Sequence, residues 1–375
     1  MIDPMLWRPD QHEALAPAPW DEAAARQATA EIVADAVATV VDGRWPGHPL
    51  DDLPASPGPS TFYLGSAGML WALARLQSTL DLPGLADWLL EDYPGPADVA
   101  EGVHPPSLWM GETGLQLVGL QVGARTADPG RLEHLIRSNR QHPSWELMWG
   151  SPGTILAARS AGLDGAARDS AELLWAHRDG DGLWTQTLYG RAARVLGPAH
   201  GFAGDVRALR GFVPDASLRE LVSSVLDRSA LRAEAGRLIN WSPAYDPAPQ
   251  DAIRVQWCHG APGLVATVGD LMPIELARGG AELTWRAGPL RKGPNLCHGT
   301  AGNGYAFLRV FALTGDELWL TRARQFAMHA IGQVNKTREQ FGRGRYSLWT
   351  GDLGVALYLR SCLTADPAFP SIDDL

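Results

Sequence analysis

An all-α fold is predicted, a ring of helical hairpins closed on itself as an α/α toroid, and three features of the chain predict it. The first is a Gly-x-x-Gly signature that recurs seven times, starting at Gly65, Gly111, Gly150, Gly201, Gly260, Gly299 and Gly351. By subtraction, successive copies lie 46, 39, 51, 59, 39 and 52 residues apart, which is the period of a two-helix repeat. The second is an apolar run of helical length after each signature, for example 69–74, 115–120, 154–158 and 305–311. The third is the persistence of run and signature to the last copy. An open array of repeats would need a polar capping unit, and none is evident.

The apolar runs are hydrophobic nearly all round, so they read as buried inner helices. The stretches between them, such as 22–41, 217–231 and 316–334, are spotted with Arg and Glu and read as outer helices. Glycine suits the junction from loop to buried helix because it permits close backbone approach and positive φ. Pro152 and Pro262 fall near the first turn, where a missing N–H is harmless. The signatures then gather at one rim of the ring. Trp109, Trp149, Trp257 and Trp349 precede signatures and are expected to wedge that rim by packing; an exposed substrate platform is the competing reading. Segments 42–60 and 241–250 read as loops, and a short hairpin is expected near 180–184 or 237–241. The repeat implies a single domain over residues 1–375, with an irregular segment at 1–20.

A net charge of −10 with no Lys/Arg run argues against a nucleic-acid partner. No apolar stretch reaches the roughly 18 residues that span a bilayer, and the first residues lack the basic and apolar regions of a secretion signal. The expected location is the cytoplasm. Three cysteines, Cys258, Cys297 and Cys362, are too few for a disulfide framework and fit a reducing compartment. Cys362, near the end of the last apolar run, reads as core.

Two of the signatures are decorated. Trp-Cys258-His259-Gly260 and Leu-Cys297-His298-Gly299 place Cys-His at equivalent points of adjacent repeats. In a closed ring such points are neighbours, so two thiolates and one or two imidazoles can meet at a metal. Soft sulfur with imidazole favours zinc. Four ligands would close the tetrahedron, whereas three would leave a place for water or substrate, and the symmetry of the motif leaves that choice open. The competing reading makes both Cys-His pairs core residues of a repeated motif.

These motifs resemble the lanthionine synthetase C-like proteins, a family that includes bacterial lantibiotic cyclases and eukaryotic relatives. The resemblance runs through all seven signatures. Glu146-Leu147-Met148-Trp149-Gly150, the stretch from Cys297 to Leu308, and Phe369-Pro370 look closer to the eukaryotic-type branch. The resemblance implies a toroid of seven inner and seven outer helices. It implies one zinc ion held by Cys258, Cys297 and His298, with His259 left as a rim hydrogen-bonding residue. It implies addition of a thiol to dehydroalanine or dehydrobutyrine in a peptide or protein, forming a thioether. In the eukaryotic-type branch that thiol resembles glutathione. His200, in Ala199-His200-Gly201, matches the family's Ala-His-Gly motif and is implied to be the general acid or enolate stabiliser. Glu146 matches a position where lantibiotic cyclases carry Asp. Lys292 matches a family lysine, and Arg343 or Arg345 lies in the region of a second cation; these would meet the thiol's carboxylates.

Without the resemblance, His200 reads as a structural histidine, Glu146 as a helix-end carboxylate, and the three cations as surface charges. Two other classes compete with the enzyme reading. A non-catalytic zinc- or thiol-binding scaffold would keep the Cys-His pairs and need no His200. A glycoside hydrolase on a similar toroid would want two carboxylates about 5–10 Å apart, which Glu146 beside a Cys/His cluster does not supply.

Overall fold

Each of the seven apolar runs folds as a buried helix that starts at its own signature, and an outer helix precedes each one in the chain. The computed structural model describes residues 6–16, 18–53, 56, 58–91, 93, 105–247 and 253–375. The outer helices among these residues are α1 (Glu22–Thr39), α3 (Leu82–Glu91), α5 (Pro129–Asn139), α7 (Asp164–Ala176), α9 (Asp215–Ser229), α11 (Ile274–Ala287) and α13 (Glu317–Phe341). They alternate with inner helices α2 (Ser66–Arg75), α4 (Glu112–Val122), α6 (Ser151–Ser160), α8 (Phe202–Leu209), α10 (Ala261–Val268), α12 (Thr300–Thr314) and α14 (Asp352–Thr364). Each inner helix touches the next, and α14 touches α2, so the inner layer is a closed barrel. The first outer helix meets the last: α1 packs on both α13 and α14. The architecture is the α/α toroid.

The signature works by close approach more than by unusual dihedrals. The first glycine of every copy is the N-cap of its helix, and only Gly260, at φ 108°, has positive φ. The second glycine lies under the loop that precedes the helix. A Cβ at Gly263 would stand 1.7 Å from the Trp257 carbonyl oxygen, and one at Gly302 would stand 1.8 Å from that of Leu296. The same carbonyl, six residues back, crowds the second glycine in all seven copies. The loop therefore folds over the first turn and carries its side chains to the rim.

The barrel axis is aromatic. Trp109, Trp257 and Trp349 are fully buried, with Trp349 at 4.4 Å from Trp109 and 4.8 Å from Trp257 between ring centroids. Phe369 meets Trp257 at 4.7 Å. The last residues cross the end of the barrel opposite the signatures: Asp373 pairs with Arg207 and Arg309, and Asp374 with Arg75, all late in inner helices. Packing is thus the role of three of the four rim tryptophans, while Trp149 is half-exposed. Cys362 is core, and burial pushes its thiol up to about 12.

Two small hairpins decorate the ring. β3 (Leu231–Ala233) pairs with β4 (Leu238–Asn240), overlapping the expected 237–241 segment. The other hairpin, β1 (Gln186–Leu188) with β2 (Arg191–Ala193), lies just beyond 180–184. Its two-residue turn is Tyr189-Gly190, with φ of 50° and 76°, the positive values that match strand twist. The expected loops 42–60 and 241–250 hold a short turn at Pro49–Asp51; residues 54, 55, 57 and 248–250 lie outside the described residues. The segment expected to be irregular, of which 1–5 and 17 are also outside, is strapped to the ring through His12–Gly288 and Glu13–His329 contacts. Among the described residues no helix is long and apolar enough to cross a membrane.

Candidate active site at the toroid rim

In five of the seven repeats the residue two places before the signature glycine lies on a shared belt. The Cys258 N–H donates to the Cys297 carbonyl at 3.0 Å, Cys297 N–H to Trp349 at 3.1 Å, Trp349 N–H to Tyr63 at 3.4 Å, and Tyr63 N–H to Trp109 at 2.9 Å. Backbone hydrogen bonds thus join adjacent repeats and bring the two cysteines together. Both are buried, neither is in a disulfide, and their thiols are hydrogen-bonded to each other. The bond from Cys297 lowers Cys258 to about 7 against the cost of burial, with Gln256 and the charges of His200 and Arg254 assisting. Cys297, the donor, is raised well above its ordinary value. One thiol of the pair is thus pulled down and its neighbour pushed up.

The residue one place before the glycine is histidine in three successive repeats: His200, His259 and His298. Burial, then the Lys292 and Arg345 charges, lower His298 to about 4. Burial, then His200, Arg254 and Lys292, lower His259 to about 3. Both are neutral at pH 7 and keep the lone pair that metal ligation requires. The His298 N–H is held by Asn295 Oδ1 at 3.0 Å. The His259 ring stacks on His200 at 6.1 Å, and its buried Nδ1 has no hydrogen-bond partner among the described residues. Among those residues no three His, Cys, Asp or Glu side chains stand in a metal-ready cluster. The donor types fit zinc: two sulfurs in contact and a neutral imidazole on the adjoining residue, with tetrahedral closure depending on the His298 side chain.

Four places before the glycine, most repeats carry a side chain that satisfies the loop. Thr61 accepts from Leu64 N–H at 3.2 Å, Ser107 from Met110 N–H at 3.2 Å, and Asn295 from His298 N–H. Glu146 occupies this place in the third repeat and is fully buried. Its Oε1 accepts from Trp149 N–H at 2.7 Å and its Oε2 from Met148 N–H at 2.9 Å. The longer side chain also brings Oε2 to 3.0 Å from His200 Nδ1, in the next repeat. A carboxylate only accepts, so Nδ1 carries the proton and Nε2 is the nitrogen free to exchange one. Burial opposes protonation of His200, but the hydrogen bond and charge of Glu146, helped by Cys258, outweigh it and hold the imidazole above its ordinary value.

The three cations differ. Lys292 is exposed and its Nζ reaches Gln256 Oε1 at 3.5 Å. Arg343 donates to the Gly47 carbonyl at 2.9 Å. Arg345 is buried and its guanidinium fork is engaged by the Asp51 carboxylate. Sequence reading missed Asp51, Gln256 and Tyr63. The place of Gln256, four before a signature glycine like Glu146, was the available signal.

The fold is shared with nisin cyclase, with a TM-score of 0.60 over 92% of this chain and 98% of that one, at 15% identity. Residues 56–373 match the family described as lanthionine synthetase C-like protein, and the chain belongs to that family. It is 34% identical over 144 residues to the LanC-like protein GCL1 of Arabidopsis thaliana, covering 35% of this chain and 33% of that relative. It is 40% identical over 92 residues to the glutathione S-transferase LANCL1 of Danio rerio, covering 22% of this chain and 23% of the relative. The aligned segments thus span about a third and about a quarter of those relatives.

Proposed function

We propose that the chain catalyses addition of a small thiol of the glutathione kind to dehydroalanine or dehydrobutyrine in a peptide or protein, forming a thioether. The observation that carries this reading is the meeting of Cys258 and Cys297 on the same rim as the Glu146–His200 pair. Cys258, Cys297 and His298 would hold one zinc ion, leaving a place for the incoming thiol. The ion supplies a Lewis acid that favours the thiolate at neutral pH. The thiolate attacks the β-carbon, a C–S bond forms, and the electron pair of the C=C bond moves to the α-carbon and its carbonyl. His200 gives the proton from Nε2 to the α-carbon and regains one equivalent to that lost by the thiol. Addition is redox-neutral. Glu146 fixes the imidazole by its Nδ1–H and favours the protonated acid. Lys292 and Arg343 would meet the thiol's carboxylates; Arg345, already paired with Asp51, would shape the pocket wall.

The test is mass spectrometry of a dehydroalanine peptide incubated with glutathione and protein. The wild type should give the glutathione adduct. His200→Ala should keep zinc and lose roughly 10²-fold in rate. Cys297→Ala should lose zinc and activity together. Zinc and thiol binding without any adduct would instead make the protein a scaffold.

A further inference from the structure

Of the four tryptophans that precede signatures, only Trp149 is left half-exposed by the packing of the barrel. Its neighbour is the tip of the β1–β2 hairpin, where Trp149 Nε1 stands 3.5 Å from the Tyr189 phenol oxygen. Tyr189 is 76% exposed, and among the described residues no other aromatic side chain is so open. The turn does not ask for this ring. Both of its central residues have positive φ, where glycine, asparagine or aspartate is at home and a bulky side chain is uncommon.

The hairpin is registered on His200. Gln186 in β1 is fully buried, and its Oε1 accepts from the Val195 N–H at 2.9 Å. That bond turns Nε2 onto the carbonyls of His200, at 2.5 Å, and Trp145, at 3.3 Å. The Tyr189 and His200 rings then lie edge to face, with centroids 6.4 Å apart. The His200 side chain is itself 18% exposed, so a ligand lying on Tyr189 can reach it. Two rings that the fold does not bury thus stand beside the imidazole.

A site built this way suits the electrophile of the reaction proposed above, on which the assignment depends. The α- and β-carbons of a dehydroamino acid are trigonal and conjugated with the flanking amides, so the unit is flat and presents a π face. A saturated residue has a tetrahedral α-carbon and presents none. Flat π systems stack favourably on Trp and Tyr, in offset or edge geometry. We propose that Trp149 and Tyr189 bind the dehydroamino-acid segment of the polypeptide substrate, stacking on its conjugated plane and holding the α-carbon beside His200. Thiol addition makes that carbon tetrahedral and ends the stacking, so the same contact favours release of the thioether product.

The experiment uses the full chain supplied with zinc and no thiol, so that nothing turns over. The probe is a fluorescein-labelled nonapeptide with one dehydroalanine, compared by fluorescence anisotropy with the same peptide carrying alanine there. Wild type should bind the dehydroalanine peptide about 3- to 10-fold more tightly. Tyr189→Gly and Trp149→Leu should each abolish most of that preference, and Tyr189→Phe, which keeps the ring, should retain it. No preference in wild type, or a full preference in Tyr189→Gly, overturns the proposal. Loss of the preference in Tyr189→Phe also overturns it, since the hydroxyl and not the ring would then be responsible. If thermal unfolding shows Trp149→Leu to be destabilised, Tyr189→Gly decides, because the turn accepts glycine. Failure of the catalytic reading looks different: the dehydroalanine peptide binds with the stated preference, yet no glutathione adduct forms when the thiol is added.

Discussion

The rim divides into two arcs built on one backbone plan. In the seventh, first and second repeats the belt residues are Trp349, Tyr63 and Trp109, aromatic rings that stack over the barrel axis. At the equivalent places of the third to sixth repeats stand Met148, Ala199, Cys258 and Cys297, followed by Trp149, His200, His259 and His298. The glycine crowding is the same in both arcs. Large rings seal one half of the mouth and give the molecule its axial core. Smaller residues leave the other half free for imidazoles and sulfurs. The division sets packing mainly on one side of the circle and chemistry on the other, and the two meet where Trp257 of the fifth repeat joins the axial rings and the Trp349 carbonyl accepts the Cys297 N–H.

The scaffold shared by both arcs is the most sensitive target. Gly302→Ala places a Cβ 1.8 Å from the Leu296 carbonyl oxygen, and the backbone must move. Loss of stability above about 4 kcal/mol is expected, at the upper end for single substitutions. Gly165→Ala, where nothing lies within 4 Å, serves as the control. Denaturant unfolding of both variants measures it, and equal stabilities would refute the crowding argument.

Next comes the aromatic arc. Trp349→Ala removes the ring that touches Trp109, Trp257 and Phe369 and should cost about 3–5 kcal/mol. The rate per folded molecule should fall far less than in His200→Ala. Thermal unfolding beside a turnover assay at low temperature separates the two. A rate loss matching His200→Ala at unchanged stability would erase the division between arcs.

Behind the chemical arc, Asp205 in α8 is fully buried, with neither oxygen hydrogen-bonded among the described residues. Burial, and then the charge of Glu146, push its carboxyl well above the usual range. For an acid raised in this way, stability is greatest below the unfolded value near 4 and falls as pH rises toward the folded value. Asp205→Asn should therefore gain about 1–3 kcal/mol at pH 7 and little at pH 3. Unfolding free energies at the two pH values check this, and a loss at pH 7 would mean that the carboxylate has an essential partner.

The smallest effect is expected at Lys292, exposed at the edge of the chemical arc. Lys292→Glu should raise the apparent KM for glutathione roughly 3- to 10-fold and leave kcat nearly unchanged, because it removes binding rather than proton transfer. Mercaptoethanol, which has no carboxylate, should be far less affected. Equal changes for both thiols would assign Lys292 to holding Gln256 rather than the substrate.

Much of this molecule is local and so was legible. A glycine crowded by a carbonyl six residues back is a feature of one loop, repeated, and the apolar run that follows it is a feature of one helix. From these the number of hairpins follows, and so do the decorated repeats with Cys258-His259 and Cys297-His298; His200, Glu146 and the choice of His298 over His259 came only from the resemblance to the lanthionine synthetase C-like proteins. The hairpin at Tyr189-Gly190 was misplaced by a few residues because Asp181-Gly182, an equally good turn signal, precedes it.

Partnership was not legible, because it joins residues of different repeats. His200 meets Glu146 across 54 residues and Arg345 meets Asp51 across 294. Two arginines two residues apart look alike in the chain, but only Arg345 has its fork engaged by a buried carboxylate. The sequence by itself determined the ring and the kinds of side chain on its rim, since periodicity and steric fit act within one repeat. Only the tertiary structure decided which sulfur holds which donor and which cation keeps free donors, since those depend on distances set by closing the ring.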